Sequence, residues 1–508
     1  MNDGKICISV CAETSEELIE QMMRAKLLAD VIELRFDCLK KIEPEKIWSS
    51  IKLVRQTFDG KLLATFRSTE QGGKINLTFA ERKEFWLDSG VSDFVDWADF
   101  ELDFPGEDIN QSSVKVFEKI LKSFHDFKKI PPNSDEIYKQ TAVGSETLKI
   151  ALQTDEIADT IAVWKILERA RSDNKEIVPI AMGEAGKWTR ILGLAHGALM
   201  TYAALDEGSE TAPGQISARD LIETYRVKEL TEKTDVYGIV GHPVAHSLSP
   251  FMHNAAFRSQ NIDAVYIPFE VKNLDEFIKR FVKSETREVE LNIKGFSVTI
   301  PHKTAIIKHL DFIDETAEKI GAVNTVNIER GKLCGYNTDA EGFIEPLKNI
   351  YGDLSGAKIA LLGAGGAARA CVYALVKQKA NVQIFARNVE KAQSLADEFK
   401  VRGSRFKVQG ESYEHFDIVV NTTPLGTKGV LENQTPATAE QIQHINLIYD
   451  LVYNPFETQL IKEAKQAFVP TIGGMAMLVG QAMAQFKAWT GKDAPLKEMS
   501  AAVLKRLS

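Results

Sequence analysis

The sequence predicts an α/β protein in two parts: a closed (β/α)8 TIM barrel, followed by a second α/β region. Two observations favour the barrel. Short β-rich segments alternate with helical segments, and there are eight such units in the first about 220 residues, the size of this fold. A third observation favours the second part, because a glycine-rich turn at Gly363–Ala368 lies between a strand-like and a helix-like segment.

The barrel prediction rests on eight segments rich in apolar and β-branched residues. Helical spacing lies between them, for example in Ser15–Leu28 and Asp155–Arg171. Such alternation indicates parallel strands with crossover helices, although an open, doubly wound sheet is the alternative. The predicted strands are Lys5–Cys11, Val31–Asp37, Leu62–Ser68, Phe94–Glu101, Lys119–Phe127, Thr147–Gln153, Ile177–Met182 and Tyr202–Leu205.

The charged stretch Asp220–Thr234 contains no glycine or proline, and we expect a last barrel helix that continues into a short, stiff connector. A strand at Val236–Val240 opens the second part, another begins at Lys358, and Met475–Leu507 has an amphipathic helical pattern. The predicted domains are residues 1–222, a connector 223–233, a substrate domain of 234–340 plus 476–508, and a nucleotide-binding domain of 341–475.

Composition excludes some classes of partner. The net charge of -9 argues against nucleic acid or an anionic membrane, and no segment approaches the roughly 18 apolar residues of a membrane span. The five cysteines lack zinc-site spacing, so we expect no metal and free thiols in a reducing compartment. The first residues do not resemble a signal or transit peptide, and the cytoplasm is therefore expected. Oligomeric state is left open.

Polar residues near the strand ends are candidates for the barrel's chemistry, because barrel active sites lie at the carboxyl ends of the strands. They are Ser9, Glu33, Arg35, Arg67, His125, Lys149 and Arg190, with Thr211 and Gln215 in a following TAPGQ segment.

Lys149 stands out because it interrupts the apolar run LKIAL. A solvated, outward-facing lysine is the simpler interpretation. If Lys149 faces inward, burial and the nearby Arg67 and Arg190 would lower its pKa, and a neutral amine can form a Schiff base with a ketone. His125 could then be the base, although a structural histidine is the alternative. Arginines could hold an anionic substrate, and Glu33 with Arg35 could instead be a structural ion pair.

Five segments, ELRFD, TFRSTEQGG, SFHDF, LKIAL and TAPGQI, in this order resemble type I 3-dehydroquinate dehydratase over about residues 1–222. The resemblance implies that Lys149 forms an imine with the substrate ketone, and that His125 removes the C2 proton and assists water loss and imine hydrolysis. It also implies that the substrate is bound by Glu33, Arg35, Arg67, Arg190, Thr211 and Gln215.

The sequence departs from that family at Gln71, where the family usually has glutamate before Gly-Gly. That acid can pair with the histidine, so the tuning of His125 is open. Glu70 is adjacent but out of register, and Thr211 replaces a common serine while keeping the hydroxyl.

The turn at Gly363–Ala368 matches the G-x-G-x-x-A pattern of a Rossmann domain, in which a pyrophosphate rests on the helix N-terminus. The next predicted strand, Val382–Phe385, is followed by Arg387 and not by the acid that binds the ribose of NAD. Because arginine can pair with a 2′-phosphate, the sequence favours NADP. A strand at Phe416–Val420 then enters the NTTPLG loop.

The segment upstream carries the polar residues of a second site. Ser247 and Ser249 could bind a carboxylate, although a Ser/Pro loop also forms ordinary turns. A strand that stops at a proline brings Lys303 to an edge, and Asp339 follows in GYNTD. A lysine and a carboxylate can form a proton-transfer pair or a simple salt bridge.

The segments GHPVAHSLSP, GFSVTIPHK, GAVNT, GYNTD, GAGGAARA, NTTPLG, DLVYNP and MLVGQA resemble shikimate dehydrogenase over about residues 234–508. The resemblance implies that Lys303 and Asp339 are catalytic. Implied substrate-binding residues are Ser247, Ser249, Thr299, Asn324, Asp339 and Gln481. Implied NADP-binding residues are Gly363, Ala364, Gly365, Gly366, Ala367, Arg387 and Asn388, with Thr423 and Tyr453 near them. Ser297 stands where asparagine is common in bacterial members.

The two implied reactions are consecutive, and together the halves resemble the plant bifunctional family of the shikimate pathway, which leads to the aromatic amino acids. Two alternatives remain. One is a Schiff-base aldolase fused to another NADP reductase, which leaves TAPGQI unexplained. The other is a regulator that binds shikimate-like ligands without turnover, for which Gln71 is the only support.

Overall fold

The structure is a computed structural model that describes residues 2–88, 90–104, 117–405 and 413–507. The described chain forms two compact units. The first contains Met1–Val236, Pro243–Ala245 and Ile267–Asn292, and the second contains Tyr237–His242, His246–Tyr266 and Ile293–Ser508.

The first unit is built on a curled sheet in the order β7-β6-β5-β4-β3-β2-β1-β8-β9, in which β1 to β8 are parallel neighbours. The N–H of Leu199 donates to the carbonyl of Ile177 (2.8 Å) where β7 and β8 approach each other. The predicted barrel strands are all present, as β1 Lys5–Val10, β2 Val31–Arg35, β3 Lys61–Thr65, β4 Trp97–Glu101, β5 Lys119–Asp126, β6 Thr147–Gln153, β7 Glu176–Met182 and β8 Met200–Ala204, with the short β9 Ile216–Ser217.

Crossover helices cover the barrel sheet, as parallel strands require. The core inside the sheet takes at least one apolar side chain from each strand, from Cys7 on β1 to Tyr202 on β8. The helices are α1 Ser15–Ala25, α2 Pro44–Arg55, α3 Phe79–Asp88, α4 Ser134–Ala142, α5 Thr160–Ser172 and α6 Lys187–Leu192.

The last barrel helix predicted within Asp220–Thr234 is present but short. A single π-helical turn, Asp220–Thr224, forms, and the chain then breaks at Arg226, whose φ of 52° lies in the left-handed region. The side-chain amide of Asn2 donates to the carbonyls of Val227 and Leu230 (2.9 and 3.0 Å). Because Val227 and Leu230 are also buried, tertiary contacts win over local helix propensity here.

The prediction of five free thiols is wrong for two cysteines, Cys11 and Cys38. Cys11 follows β1, Cys38 follows β2, and a disulfide joins them across a sequence separation of 27. The two residues meet because neighbouring parallel strands deliver them to the same end of the sheet. Cys7, Cys334 and Cys371 are free and buried.

A second sheet of six strands has the order β11-β10-β12-β14-β15-β13. It is mixed, since β14 runs antiparallel to β12 and β15, while β13 and β15 are parallel. Its elements are β10 Asp235–Gly241, β11 Ala264–Glu270, β12 Ile293–Val298, β13 Phe312–Ile313, β14 Thr325–Glu329 and β15 Lys332–Tyr336, with α7 Ser249–Ser259, α8 Leu274–Phe277 and α9 Glu315–Ile320.

A third, all-parallel sheet has the order β18-β17-β16-β19-β20-β21. The strand order reverses at β16, so the crevice that binds ligands in such folds lies between β16 and β19. The elements are β16 Lys358–Leu362, β17 Asn381–Ala386, β18 Arg402–Arg405, β19 Ile418–Asn421, β20 Leu447–Asp450 and β21 Thr471–Ile472, with α10 Asp339–Tyr351, α11 Gly366–Lys377, α12 Val389–Phe399, α13 Ala439–Ile442 and α14 Gln459–Gln466.

The predicted C-terminal helix is divided into α15 Met475–Thr490 and α16 Leu496–Leu507 by Gly491, whose φ is 70°. No helix within the described ranges is both long and apolar enough to cross a lipid bilayer.

Candidate active sites

The first site is built by the two-residue period of the barrel strands. On β1, β2 and β5 the inward positions run from the apolar core to polar residues nearer the carboxyl end. They change from Cys7 to Ser9, from Val31 to Glu33 and Arg35, and from Leu121 to Ser123 and His125. One cavity therefore collects all nine barrel residues that the sequence singled out: Ser9, Glu33, Arg35, Arg67, His125, Lys149, Arg190, Thr211 and Gln215.

Lys149 faces inward from β6 and is 2% exposed, so the solvated alternative is wrong. Its Nζ atom lies 2.8 Å from Asp99 Oδ2, 3.2 Å from Glu33 Oε1 and 2.7 Å from the hydroxyl of Tyr202. The ammonium thus has two carboxylates as direct partners, where the sequence suggested arginines. It also lies 4.2 Å from the centroid of the Tyr202 ring, which is cation–π geometry.

The two carboxylates beside Lys149 are held ionised. Burial alone would raise the pKa of Glu33, but Lys149, Arg35 and Arg67 outweigh burial and hold this pKa at about 2. The pKa of Asp99 is likewise well below its usual range, because Arg67 and Lys149 overcome the effect of burial. Glu33 also accepts hydrogen bonds from the hydroxyls of Ser9 and Thr65. An ionised, fully bonded acid cannot donate a proton, so these groups act by charge and position.

His125 lies near the end of β5 in the same cavity and is 6% exposed. Burial lowers the pKa of His125 well below its ordinary value, and the positive charges of Arg67 and Lys149 lower it further. The Nδ1 atom has no hydrogen-bond partner among the described residues. The imidazole is therefore neutral near neutral pH and has a nitrogen free to accept a proton.

The cavity's arginines divide into paired and unpaired ones. Arg35 makes two hydrogen bonds to Asp37 (2.9 and 2.7 Å), so its partner is Asp37, whereas Glu33 pairs with Lys149. Arg67 pairs with Asp99 at 2.6 Å.

Arg190 is different, because its Nη2 donates to the carbonyl of Pro213 (3.2 Å) while Nε and Nη1 are buried without a partner in the described structure. Burial lowers the pKa of Arg190 to about 10. A buried cation with two unused donors is suited to an anionic group that enters the cavity.

Thr211 and Gln215 are held together on the loop before β9. The N–H of Thr211 donates to Gln215 Oε1 (2.7 Å), and Gln215 Nε2 donates to the Thr211 hydroxyl (3.1 Å). This local pairing fixes the two side chains at the cavity wall.

The second site centres on Lys303 and Asp339, whose Nζ and Oδ2 atoms are 2.5 Å apart. The cis peptide bond Ile300–Pro301 lies between β12 and Lys303, and Asp339 is the first residue of α10. The other carboxylate oxygen, Oδ1, accepts from Asn324 Nδ2 (2.8 Å). Lys303 keeps a moderate exposure of its side chain, 19% against 8% for Asp339. The lysine can therefore meet a ligand while the buried carboxylate orients it.

The remaining predicted substrate residues lie on loops and on a helix of the same unit. The N–H of Ser249 donates to the hydroxyl of Ser247 (3.2 Å) after β10, and the N–H of Thr299 donates to the carbonyl of Val240 (2.9 Å). Gln481 lies on α15, which packs closely on α10: a Cβ at Gly342 would lie 2.4 Å from the backbone nitrogen of Gln481. Gly342 lies about one helical turn after Asp339 on α10, so this contact places Gln481 beside α10 at that level.

The glycine-rich turn has the geometry of a dinucleotide cradle. Gly363 has a φ of 119°, and a Cβ there would lie 2.3 Å from the Thr422 hydroxyl, so glycine is required. At Gly365 and Gly366 a Cβ would meet nothing within 4 Å, and the flanking Ala364 and Ala367 are partly exposed. Open space over the N-terminus of α11, at the point where the strand order reverses, fits a pyrophosphate.

The other predicted cofactor residues differ in their exposure and in the hydrogen bonds of their side chains. Arg387 is exposed at the end of β17, which suits a phosphate contact. The side chain of Asn388 caps α12 by accepting from the N–H of Lys391 (2.9 Å), so it also has a structural role. Thr423 donates to Asn421 Oδ1 (2.6 Å) beside β19, and Tyr453 is half-buried just before the cis bond Asn454–Pro455.

Sequence reasoning missed two direct partners of Lys149, namely Asp99 and Tyr202. Both lie within predicted strands. The available signal was the two-residue period of a strand, which places Asp99 on the same face of β4 as Trp97 and Glu101. In the second site it missed Thr338, whose N–H and hydroxyl bond to Asn324.

The fold and the two sites define the class of protein: an α/β enzyme with an amine-bearing barrel cavity and a separate dinucleotide-binding lysine–aspartate site. Sequence profiles agree. Residues 6–232 match type I 3-dehydroquinase. Residues 239–326 match the shikimate dehydrogenase substrate-binding domain, residues 345–474 match shikimate/quinate 5-dehydrogenase, and residues 474–504 match the shikimate 5′-dehydrogenase C-terminal domain.

Known proteins with similar sequences include the chloroplastic bifunctional 3-dehydroquinate dehydratase/shikimate dehydrogenase of Arabidopsis thaliana, which is 32% identical. The alignment covers 97% of this chain and 83% of that protein. The NADP⁺-dependent shikimate dehydrogenase of Methanocaldococcus jannaschii is 41% identical over 55% of this chain and 99% of its own. A crystal structure of a shikimate dehydrogenase in complex with NADP⁺ superposes with a TM-score of 0.51, at 40% identity, on 55% of this chain and 98% of its own. The chain belongs to the bifunctional 3-dehydroquinate dehydratase/shikimate dehydrogenase family.

Proposed function

We propose that this chain converts 3-dehydroquinate into 3-dehydroshikimate in the barrel and then reduces the product to shikimate with NADPH in the second site. The observation that carries the first reaction is a single cavity with three complementary groups. These are the Lys149 amine, the neutral imidazole of His125 with a free nitrogen, and Arg190 with two unused buried donors.

In the barrel, Lys149 gives up a proton and its amine adds to the substrate ketone. The adduct then takes up a proton and loses water, which leaves an iminium. His125 then takes a proton from the carbon next to the iminium. The electron pair of that C–H bond forms a carbon–carbon double bond, and the π pair of the iminium moves onto nitrogen, which gives an enamine. The protonated imidazole returns this proton to the departing hydroxyl group, which leaves as water. Hydrolysis of the iminium releases the product and restores the amine.

The buried charges decide how the substrate is held. Arg190 offers Nε and Nη1 to the substrate carboxylate, and a bidentate charge-assisted contact fixes the orientation of the ring. Asp99 and Glu33 hold the Lys149 side chain between β2 and β4. The residues Ser9, Arg35, Arg67, Thr211 and Gln215 complete the proposed set of substrate contacts.

In the second site, NADPH supplies the hydride that reduces the ketone. The Lys303 ammonium donates a proton to the oxygen that becomes an alkoxide, and Asp339 orients the ammonium through their 2.5 Å contact. Asn324 fixes the carboxylate from its other side. Ser247, Ser249, Thr299 and Gln481 are the proposed substrate contacts. The space over Gly365 and Gly366 and the exposed Arg387 fit the pyrophosphate and the 2′-phosphate of NADP.

Borohydride trapping tests the first reaction. Incubation with 3-dehydroquinate and borohydride should add a reduced adduct to Lys149, which peptide mass spectrometry locates. Lys149→Ala should abolish the adduct, whereas Lys303→Ala, a change in the other site, should leave it intact. Failure to trap an adduct, together with no appearance of the enone absorbance of the product, would refute the dehydratase assignment.

The second reaction is tested by oxidising shikimate with NADP⁺ and following the absorbance of NADPH. Lys149→Ala is the matched control, since it should leave this rate unchanged. A preference for NAD⁺ over NADP⁺ would refute the role of Arg387.

The domain limits at residues 222, 233, 340 and 475 remain part of this proposal, as does a cytoplasmic location. Cell fractionation tests the location, and the relative from Arabidopsis is described as chloroplastic.

A further inference from the structure

The strand that carries His125 lacks a neighbour on its β4 side at the position of this residue, while β6 pairs with it on the other side. The ladder between β4 and β5 runs to the pair Glu101 and Ser123, and the N–H of Leu102 then donates to the carbonyl of Ser123 (2.8 Å). Alternate residues of a parallel strand face the same neighbour, so the N–H of His125 points to the side where β4 has ended. A buried N–H without an acceptor is costly.

Gln71 supplies that acceptor. Its Oε1 atom accepts from the backbone N–H of His125 at 2.9 Å. Gln71 lies in the loop after β3, and this loop crosses the cavity mouth between β2 and β5. On the β2 side the N–H of Lys74 donates to Asp37 (3.1 Å), and on the β5 side a Cβ at Gly72 would lie 2.3 Å from the Phe127 ring.

We propose that Gln71 is a positioning residue for the dehydratase. Its carboxamide provides the hydrogen-bond acceptor that β4 does not supply to the N–H of His125, and it places no charge beside the imidazole. The inference rests on the proposed function of the barrel. It also gives a physical reason for a neutral side chain at this position.

The neutrality matters because His125 must be unprotonated to act as a base. Burial and positive charge keep the imidazole neutral, as described above. A carboxylate at position 71 would add negative charge near the ring and raise the pH below which the base is lost. The charged groups that face the imidazole are Arg67 just after β3, Lys149 on β6, and Glu33 and Arg35 on β2.

Two variants separate the two parts of the proposal. Gln71→Glu keeps an acceptor, so kcat on the plateau should be unchanged, while the acidic limb of the pH profile should move up by about one unit. Gln71→Ala removes the acceptor, so kcat should fall by about tenfold at every pH through misplacement of the base, with the limb unmoved. Glu70→Gln is the matched control, because Glu70 is an exposed neighbour on the same loop, and it should match the wild type.

Three measurements on the full chain decide the outcome. They are the pH profile of kcat with 3-dehydroquinate, the borohydride adduct on Lys149, and the rate of shikimate oxidation. The last two should be unchanged in the Gln71 variants, which shows that both sites have folded. A Gln71→Ala kcat within twofold of the wild type, or an acidic limb that does not move in Gln71→Glu, would overturn this inference alone. A wild-type chain that neither traps an adduct nor dehydrates the substrate would instead overturn the proposed function and this inference with it.

Discussion

Two arginines buried in the barrel cavity should respond to the same substitution with opposite signs. Arg67 and Arg190 are both almost fully buried. Arg67 pairs with Asp99 at 2.6 Å, whereas Arg190 leaves Nε and Nη1 without partners in the described structure. Methionine has a similar length and no charge, so the changes Arg67→Met and Arg190→Met remove charge with little change in volume.

The magnitudes follow from these contacts. Burial lowers the pKa of Arg190 to about 10, which corresponds to about 3 kcal/mol against the charged form. Loss of the bond to the Pro213 carbonyl costs about 1 kcal/mol, so Arg190→Met should stabilise the ligand-free barrel by about 2 kcal/mol. Arg67→Met removes one charged partner of Asp99, which keeps Lys149 and Ser123, and should destabilise the barrel by about 2–3 kcal/mol.

Tryptophan fluorescence can report the barrel separately. Five of the six tryptophans, Trp48, Trp86, Trp97, Trp164 and Trp188, lie in the first unit, and Trp489 lies in the second. Urea unfolding of the full chain, followed by this signal, should shift to higher urea for Arg190→Met and to lower urea for Arg67→Met.

The gain in stability should be accompanied by a loss of function. Two charge-assisted hydrogen bonds to the substrate carboxylate are worth about 3 kcal/mol, so Arg190→Met should raise the KM of the dehydratase by about a hundredfold. Shikimate oxidation should not change. If Arg190→Met unfolds at lower urea than the wild type, the two unpaired donors of Arg190 do not lower the stability of the ligand-free barrel. The proposed anion-binding role would then lose its structural basis.

Three other predictions follow from the charged groups of the two sites. The pKa of Glu33 is about 2 in the folded barrel against 4.5 ordinarily, so this carboxylate stabilises the barrel by about 3 kcal/mol above pH about 4.5, and the contribution is lost as the pH falls towards 2. Acid unfolding followed by tryptophan fluorescence should therefore depend less steeply on pH in Glu33→Gln than in the wild type. An equal slope would contradict the assignment. Lys303→Ala should lower kcat for shikimate oxidation by about a thousandfold, the range of a lost acid–base group, and a change confined to KM would mean that Lys303 only binds. Arg387→Ala should raise the KM for NADP⁺ by about tenfold or more, the worth of one charge-assisted contact, with little effect on the KM for NAD⁺, and equal effects on both would place Arg387 away from the 2′-phosphate.

The two-residue period of strands and the chemistry of parallel sheets made much of this molecule predictable. Once β2, β5 and β6 were recognised as barrel strands, Glu33, His125 and Lys149 were expected to share the interior if their side chains faced inward. The identity of the Lys149 partners was less accessible, because it depends on which strands lie opposite each other across the interior. Asp99 and Tyr202 come from β4 and β8 and meet Lys149 only after the sheet has curled.

Features that depend on distant contacts could not be derived from local patterns. The stretch after Asp220 has helical composition, yet Asn2, more than 200 residues away, binds the carbonyls of Val227 and Leu230 and holds the chain in a different path. The disulfide between Cys11 and Cys38 likewise needs the knowledge that β1 and β2 are neighbours. The use of Gln71 as an acceptor for the backbone of His125 depends on where β4 ends, which no periodicity specifies.

The contact between α10 and α15 has a consequence for how the second site can change. Gly342 on α10 and Gly480 on α15 face each other, and a Cβ at Gly480 would lie 3.1 Å from Gly342 Cα. Even an alanine at either position would act as a wedge, and its methyl group would move the α15 backbone, and Gln481 with it, away from the helix that begins at Asp339. The distance between Gln481 and the helix that begins at Asp339 is therefore limited by the absence of side chains at Gly342 and Gly480.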